Sequence, residues 1–156
     1  MKKLFLITGL EGTGRTKNAR YLCDRHAECL SYYNTEGKSI DTIFKEVRES
    51  ETKGVLLDGF PQTTEEMYAL DVKLKEEEGI ELTLVLKLEA KDTIREERLN
   101  HTLVKEKDEI DKRNLKEIES FYKEKGLLKV QKSEEYLSNI CAVTELIVFP
   151  RLGDIA

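Results

Sequence analysis

Short apolar runs alternate along the chain with longer segments whose apolar residues recur every three or four positions. Lys3 to Thr8 is an apolar run stopped by Gly9, the mark of a buried strand. Thr16 to His26 predicts a helix with Ala19 and Leu22 on one face. Glu28 to Tyr32 predicts a second strand, and Tyr33 to Lys38 a polar turn. Ser39 opens a helix to about Glu51, with Ile40, Ile43, Phe44 and Val47 at helical spacing. Gly54 to Asp58 predicts a third strand, apolar and ending in a carboxylate. Thr63 to about Glu77 predicts a helix with Met67, Leu70 and Leu74 inward. Ile80 to Leu88 is the longest strand, with Leu82, Leu84, Leu86 and Leu88 at alternate positions. Lys91 to about Lys125 predicts a helix broken between Thr102 and Asp111, where the apolar stripe is lost. Leu127 to Val130 predicts a fifth strand, and Ser133 to Thr144 a helix capped by Ser133. Leu146 to Phe149, followed by Pro150, is an apolar tail that either packs back on the sheet or meets a partner.

Strands alternating with helices imply right-handed βαβ units. The expected fold is therefore α/β, a five-stranded parallel sheet with helices on both faces, and residues 1–156 form one domain. Charged residues make up 37% of the chain and the net charge is −5, which argues against sequence-specific nucleic-acid binding and against an anionic membrane surface. No run approaches the ~20 apolar residues of a membrane helix. Lys2-Lys3 and the apolar run after them mimic a signal peptide, but the run breaks at Gly9 and Glu11, so a cytoplasmic protein is expected. Cys23, Cys29 and Cys141 have no metal-ligand spacing and read as reduced thiols; His26 and His101 stand alone and read as ordinary histidines.

Chemistry gathers at Gly9-Leu-Glu-Gly-Thr-Gly-Arg-Thr16, which has the spacing Gly-x-x-x-x-Gly-Lys-Ser/Thr of a phosphate-binding loop between a strand and a helix. In such a loop backbone N–H groups face phosphate oxygens, and the helix amino terminus adds partial positive charge. Gly9, Gly12 and Gly14 supply the permissive backbone with Thr13 between them, and Thr16 is placed to bind magnesium. Arg15 stands where the pattern has lysine. Arginine is longer, planar and forked, so the exchange is not conservative in a tight cradle.

A second motif, Asp58-Gly-Phe-Pro-Gln-Thr63, follows the third strand. With the phosphate loop it resembles adenylate kinase and the related nucleoside monophosphate kinases. "TTEEMYALD" from Thr63, "LVLKLEAKDTIREERL" from Leu84 and "FYKEKGLLKVQ" from Phe121 are similar to the family's later segments, in order. The resemblance implies a P-loop core, an ATP or ADP site at the loop, an acceptor monophosphate site beside it and a mobile lid. It implies that Gly9, Gly12, Thr13, Gly14, Arg15 and Thr16 hold the nucleotide, that Arg98 stacks on adenine, and that Asp58 and Thr16 lie near Mg2+. For Arg98 an exposed helix arginine is the competing reading.

The departures from the family point one way. Gln62 occupies the place of an arginine that grips the acceptor phosphate, and an uncharged amide makes a weaker contact. The acceptor-binding region is cut to about one helix, Ser39 to Glu51. Thr102 replaces a further phosphate arginine, and the lid shrinks to the charged segment around His101 to Asp111, with Arg113 read as a helix-surface residue ahead of a stand-in for a lid arginine. Three readings stand. One is a catalytically impaired nucleotide-binding module, a pseudoenzyme within a protein or ribonucleoprotein assembly. Another is an active small kinase for AMP or another monophosphate, using Arg15 and Arg98 in altered roles and with Arg15 and Asp58 as its catalytic residues, and the third is a slow ATPase.

Overall fold

Phe5 and Ile7 occupy one set of alternate positions of the first strand and Leu4 and Leu6 the other, and all four are buried. A strand apolar on both faces belongs inside a parallel sheet covered on both sides. The computed structural model of the chain, which describes residues 1–152, places this strand, β1 (Lys2–Gly9), at the centre of a five-stranded sheet. The others are β2 (Leu30–Asn34), β3 (Gly54–Asp58), β4 (Ile80–Glu89) and β5 (Leu128–Lys132). Their spatial order is β2-β3-β1-β4-β5 and each neighbouring pair is parallel. The helices are α1 (Arg15–Arg25), α2 (Ile40–Glu49), α3 (Thr64–Glu76), α4 (Asp92–Leu99), α5 (Lys105–Glu124) and α6 (Leu137–Leu152). The α/β reading and its five parallel strands hold.

Two apolar layers cover the sheet. On one face Leu4, Leu6, Val55 and Leu57 meet Ile43, Phe44 and Val47 of α2, Met67 and Leu70 of α3, and Ile118 and Tyr122 of α5. On the other, Phe5, Ile7, Leu56, Leu84, Leu86 and Leu88 meet Ala19 and Leu22 of α1 and Val148 and Leu152 of α6. Ser39 and Thr63 cap α2 and α3, their hydroxyls accepting from the N–H groups of Thr42 and Glu66. Among the described residues no helix is long and apolar enough to cross a membrane.

Several sequence expectations shift, each for a local reason. Leu82 does not share a face with Leu84, Leu86 and Leu88: the register against β1 slips between Leu4 and Phe5, so Thr83 is passed over and Leu82 packs with the opposite layer. β2 begins and ends two residues late, because Asn34 pairs with Asp58 and carries the strand past the expected turn. Ser133 is not a helix cap. Its N–H and hydroxyl both donate to the Glu89 carbonyl, 2.7 and 3.1 Å, which continues the edge of the sheet, and α6 starts only at Leu137. The apolar tail is part of α6; Val148 and Leu152 are buried on the sheet, while Leu146 and Phe149 stay exposed. The expected lid of His101 to Asp111 is smaller still. α5 begins at Lys105, so only residues 100–104 connect it to α4.

Candidate functional site

The carboxyl ends of β1 and β3 deliver Gly9 and Asp58 to the same edge of the sheet, where Asp58 stands in register with Ile7, two residues before Gly9. Outside such an edge is where open α/β sheets bind ligands. The loop from Gly9 turns tightly, with Thr13 donating from both its N–H and its hydroxyl to the Leu10 carbonyl, 3.2 and 2.7 Å. Gly14 caps α1 in the left-handed region, φ 82, and no side chain caps the helix. The N–H groups of its first turn are left for an acceptor from outside, an arrangement suited to an anion.

Gly12 is held against α4. A Cβ there would lie 2.9 Å from the Arg95 carbonyl oxygen and 3.0 Å from its Cα, at a backbone φ of +86. Gly12→Ala is expected to destabilise the fold by about 2 kcal/mol or more, the left-handed penalty plus displacement of α4, measured by urea unfolding. A loss within about 0.5 kcal/mol, the range of an ordinary surface change, would contradict this packing.

Arg15 does not extend along the cradle. Its Nε donates to Asp58 Oδ1 at 2.7 Å and its Nη1 to the Gly9 carbonyl at 3.2 Å. The forked guanidinium makes this sideways reach possible where an ammonium, a single point, would not hold both acceptors. The other Asp58 oxygen accepts from the Thr16 hydroxyl at 2.8 Å and the Tyr32 hydroxyl at 2.6 Å. Burial, then the bond to Asp58, pushes the Tyr32 phenol above its ordinary value, so it stays a donor. Thr35 donates to the Asp58 backbone carbonyl, 3.0 Å. Asp58 is 4% exposed, and each of its carboxylate oxygens accepts from a protein donor.

That engagement bears on the magnesium expectation for Thr16 and Asp58. The two residues do meet, the Thr16 hydroxyl donating to Oδ2, but the place beside Oδ1 is already held by a cation, the Arg15 guanidinium at 2.7 Å. A magnesium ion needs oxygen ligands free at about 2.1 Å and room for its waters. The residues as arranged do not fit it, and among the described residues no cluster of three acidic, histidine or cysteine side chains offers a substitute.

Two of the clefts along the loop include Arg15. A space of about 490 Å³ lies between the loop at Gly12 to Lys17, Arg98, and Leu137 with Ile140 of α6. Arg98 is fixed there by carbonyls: Nη1 donates to Gly12 O at 3.3 Å, and Nη2 to Ser133 O and to Glu135 O. It is exposed on α4 but not free, since it bridges the loop to the strand-to-helix turn before α6 and borders the cleft. The smaller cleft, about 260 Å³, is lined by Gly9 to Glu11, Arg15, Pro61, Gln62 and, from α5, Lys107 and Asp111. Lys107 is the basic group from elsewhere in the fold that reaches this space, and it pairs with Asp111 at 3.2 Å and Glu11 at 3.6 Å. Among the described residues Arg15 and Lys107 supply the positive charge of this cleft, against Glu11 and Asp111. Arg113 is not part of it; it borders a separate surface near Tyr68 and Phe121.

Arg95 escaped the sequence reading altogether. It is fully buried, donating from Nε to the Glu11 carbonyl at 2.7 Å and pairing with Asp108 at 2.6 Å and Asp92 at 3.0 Å. It therefore fastens the loop to α4 and the start of α5. Tyr32 and Lys107 were also missed. Their partners lie far away in sequence, and no local pattern marks them.

No family model matches the chain. It is similar over its length to curated proteins: 27% identical to an adenylate kinase of Nitratiruptor sp., covering 99% of each chain. It is 28% identical to an adenylate kinase of Wolinella succinogenes, over 97% of this chain and 100% of that one, and 26% identical to one of Helicobacter hepaticus, over 95% and 98%. The first alignment runs 192 positions against 156 residues here, so that relative carries residues this chain lacks. The sheet order and the glycine loop define an α/β protein of the P-loop class. The chain is similar to adenylate kinases over nearly its whole length and shortened relative to the proteins it matches.

Proposed function

We propose that this chain holds a nucleotide as the adenylate kinases do but has largely lost phosphoryl transfer. ATP or ADP lies with its phosphates on the loop from Gly9 to Thr16 and its base in the cleft beside Arg98. The loop geometry and the open first turn of α1 support the phosphate half, and the cleft between Arg98 and Leu137 supports the base half. The observation that carries the loss is the Arg15–Asp58 pair, 2.7 Å across the cradle, with Gln62 rather than a cation beside it. Transfer depends on placing and neutralising the moving group, and each preorganised cation contributes roughly 3 kcal/mol to that. Here the charge that would do so is bound to a carboxylate. The chain then acts as a binding module, and the exposed Val143, Leu146 and Phe149 of α6 are the surface it offers to an assembly.

Calorimetry with a bisubstrate ligand, two adenosines joined by a pentaphosphate, tests this reading. Linking two gripped halves raises affinity by about 10²-fold or more, so the compound is expected to bind within about tenfold of ATP alone. An advantage of about 10²-fold or more would mean that the acceptor half is held as well, and would restore the active-kinase reading.

A further inference from the structure

The mismatch between magnesium and its expected donors has a specific cause, and the cause is itself a cation. A guanidinium occupies the position between the carboxylate at the end of β3 and the loop at the end of β1. Nε is on Asp58 and Nη1 on the Gly9 carbonyl, which fixes the plane of the group. The third nitrogen, Nη2, has no hydrogen bond among the described residues. A Cβ placed on Gly59 would find Arg15 Nη2 at 3.6 Å and Gln62 Nε2 at 3.5 Å. Two side-chain nitrogens therefore flank the same spot, at the mouth of the smaller cleft.

We propose that Arg15 replaces the divalent cation, so that this chain binds the phosphates of a nucleoside diphosphate or triphosphate without magnesium. The inference rests on the nucleotide reading above and concerns how that ligand's charge is met. The open N–H groups of the α1 first turn take phosphate oxygens, and Arg15, tethered on its far side by Asp58, presents Nη2 to them. A hydrated magnesium at Thr16 and Asp58 would have to sit beside the guanidinium, on a carboxylate whose Oδ2 already accepts from Thr16 and Tyr32 at 2.8 and 2.6 Å. Like charges at that distance repel, whereas the tethered arginine is already in place and needs no ion from solution. Arg15 thus serves as a permanent, metal-free counter-charge.

The test is calorimetric titration of ADP into the full chain, once with magnesium in excess and once with EDTA. Because excess magnesium ties up free ADP, the dissociation constant is expected to be about fivefold or more weaker with magnesium than with EDTA. ADP binding as tight or tighter with magnesium than with EDTA would overturn the inference and leave the nucleotide reading standing. No binding under either condition would sink the nucleotide reading and this inference with it. Arg15→Lys, checked for folding by its melting curve, removes the fork and is expected to make ADP binding about tenfold tighter in magnesium than in EDTA. ADP binding still weakened by magnesium in that variant would show that Arg15 is not the counter-charge. A readout on the unaltered chain is electron paramagnetic resonance of Mn2+–ADP. Adding protein is expected to raise the free-Mn2+ signal as ADP is taken up without its metal, and a fall in that signal would overturn the proposal.

Discussion

Replacing Arg95 with alanine is expected to remove about 3–5 kcal/mol of folding stability, the largest loss of any single substitution argued for this chain. Arg95 is the largest of the fully buried side chains. Its removal leaves the Glu11 carbonyl without its donor, takes the closest partner from Asp108, and opens a void behind Gly12. Arg95→Met, which fills most of the volume, is expected to lose less, since Lys112 still reaches Asp108 at 3.2 Å. The effect carries a pH signature. The Arg95 hydrogen bond, then Lys112, holds the Asp108 carboxyl below its ordinary range; for Asp92 the Lys112 bond comes first and Arg95 follows. A depressed folded-state value means that the stabilisation is complete above the ordinary carboxylate pKa of about 4 and is lost as pH falls through the folded values. Wild-type stability is therefore expected to drop steeply below about pH 4, and Arg95→Met to flatten that drop. Urea unfolding across pH measures both. An Arg95→Ala loss under about 1 kcal/mol, or an unchanged acid limb in Arg95→Met, would contradict the anchoring role.

Asp58→Ala is expected to cost about 3 kcal/mol, again by urea unfolding. In a phosphoryl-transfer enzyme a carboxylate at this place serves chemistry. Here it also ties the ends of β2 and β3 and the start of α1 together, accepting from Tyr32, Thr16 and Arg15. Truncation leaves two hydroxyls and a guanidinium, 28% exposed, without their acceptor. Water reaching Arg15 softens the loss, which is why the figure sits at the lower end of the range for broken buried pairs. Asp58→Asn keeps the shape and one oxygen acceptor, so it is expected to cost about half as much. If Asp58→Ala unfolds within about 0.5 kcal/mol of wild type, the carboxylate is not the structural hub described.

What could be read in advance divides along a physical line. Elements whose signal is local were legible: Gly54 to Asp58 as an apolar run between turns, and α2 and α3 from the spacing of Ile43, Phe44 and Val47 and of Met67 and Leu70, with Ser39 and Thr63 at their starts. The glycine loop and the arginine within it were legible for the same reason. Features set by distant partners were not. The slip at Thr83 exists because of the pairing of β4 with β1, and Ser133 is drawn from its cap position by the Glu89 carbonyl. Arg95 looks like any helix arginine until Asp108 and the Glu11 carbonyl are brought to it. The sequence marks Arg15 as an unusual residue but cannot say that it turns toward a carboxylate 43 positions away.

The most direct measurement is steady-state turnover of ATP with AMP and magnesium by the purified chain, followed as ADP formed. Kinases of this kind of chemistry turn over at about 1–100 s⁻¹, and this chain is expected to fall at least about 10³-fold below that range. Turnover within it, abolished in Asp58→Asn and so not the work of a contaminant, would contradict the account.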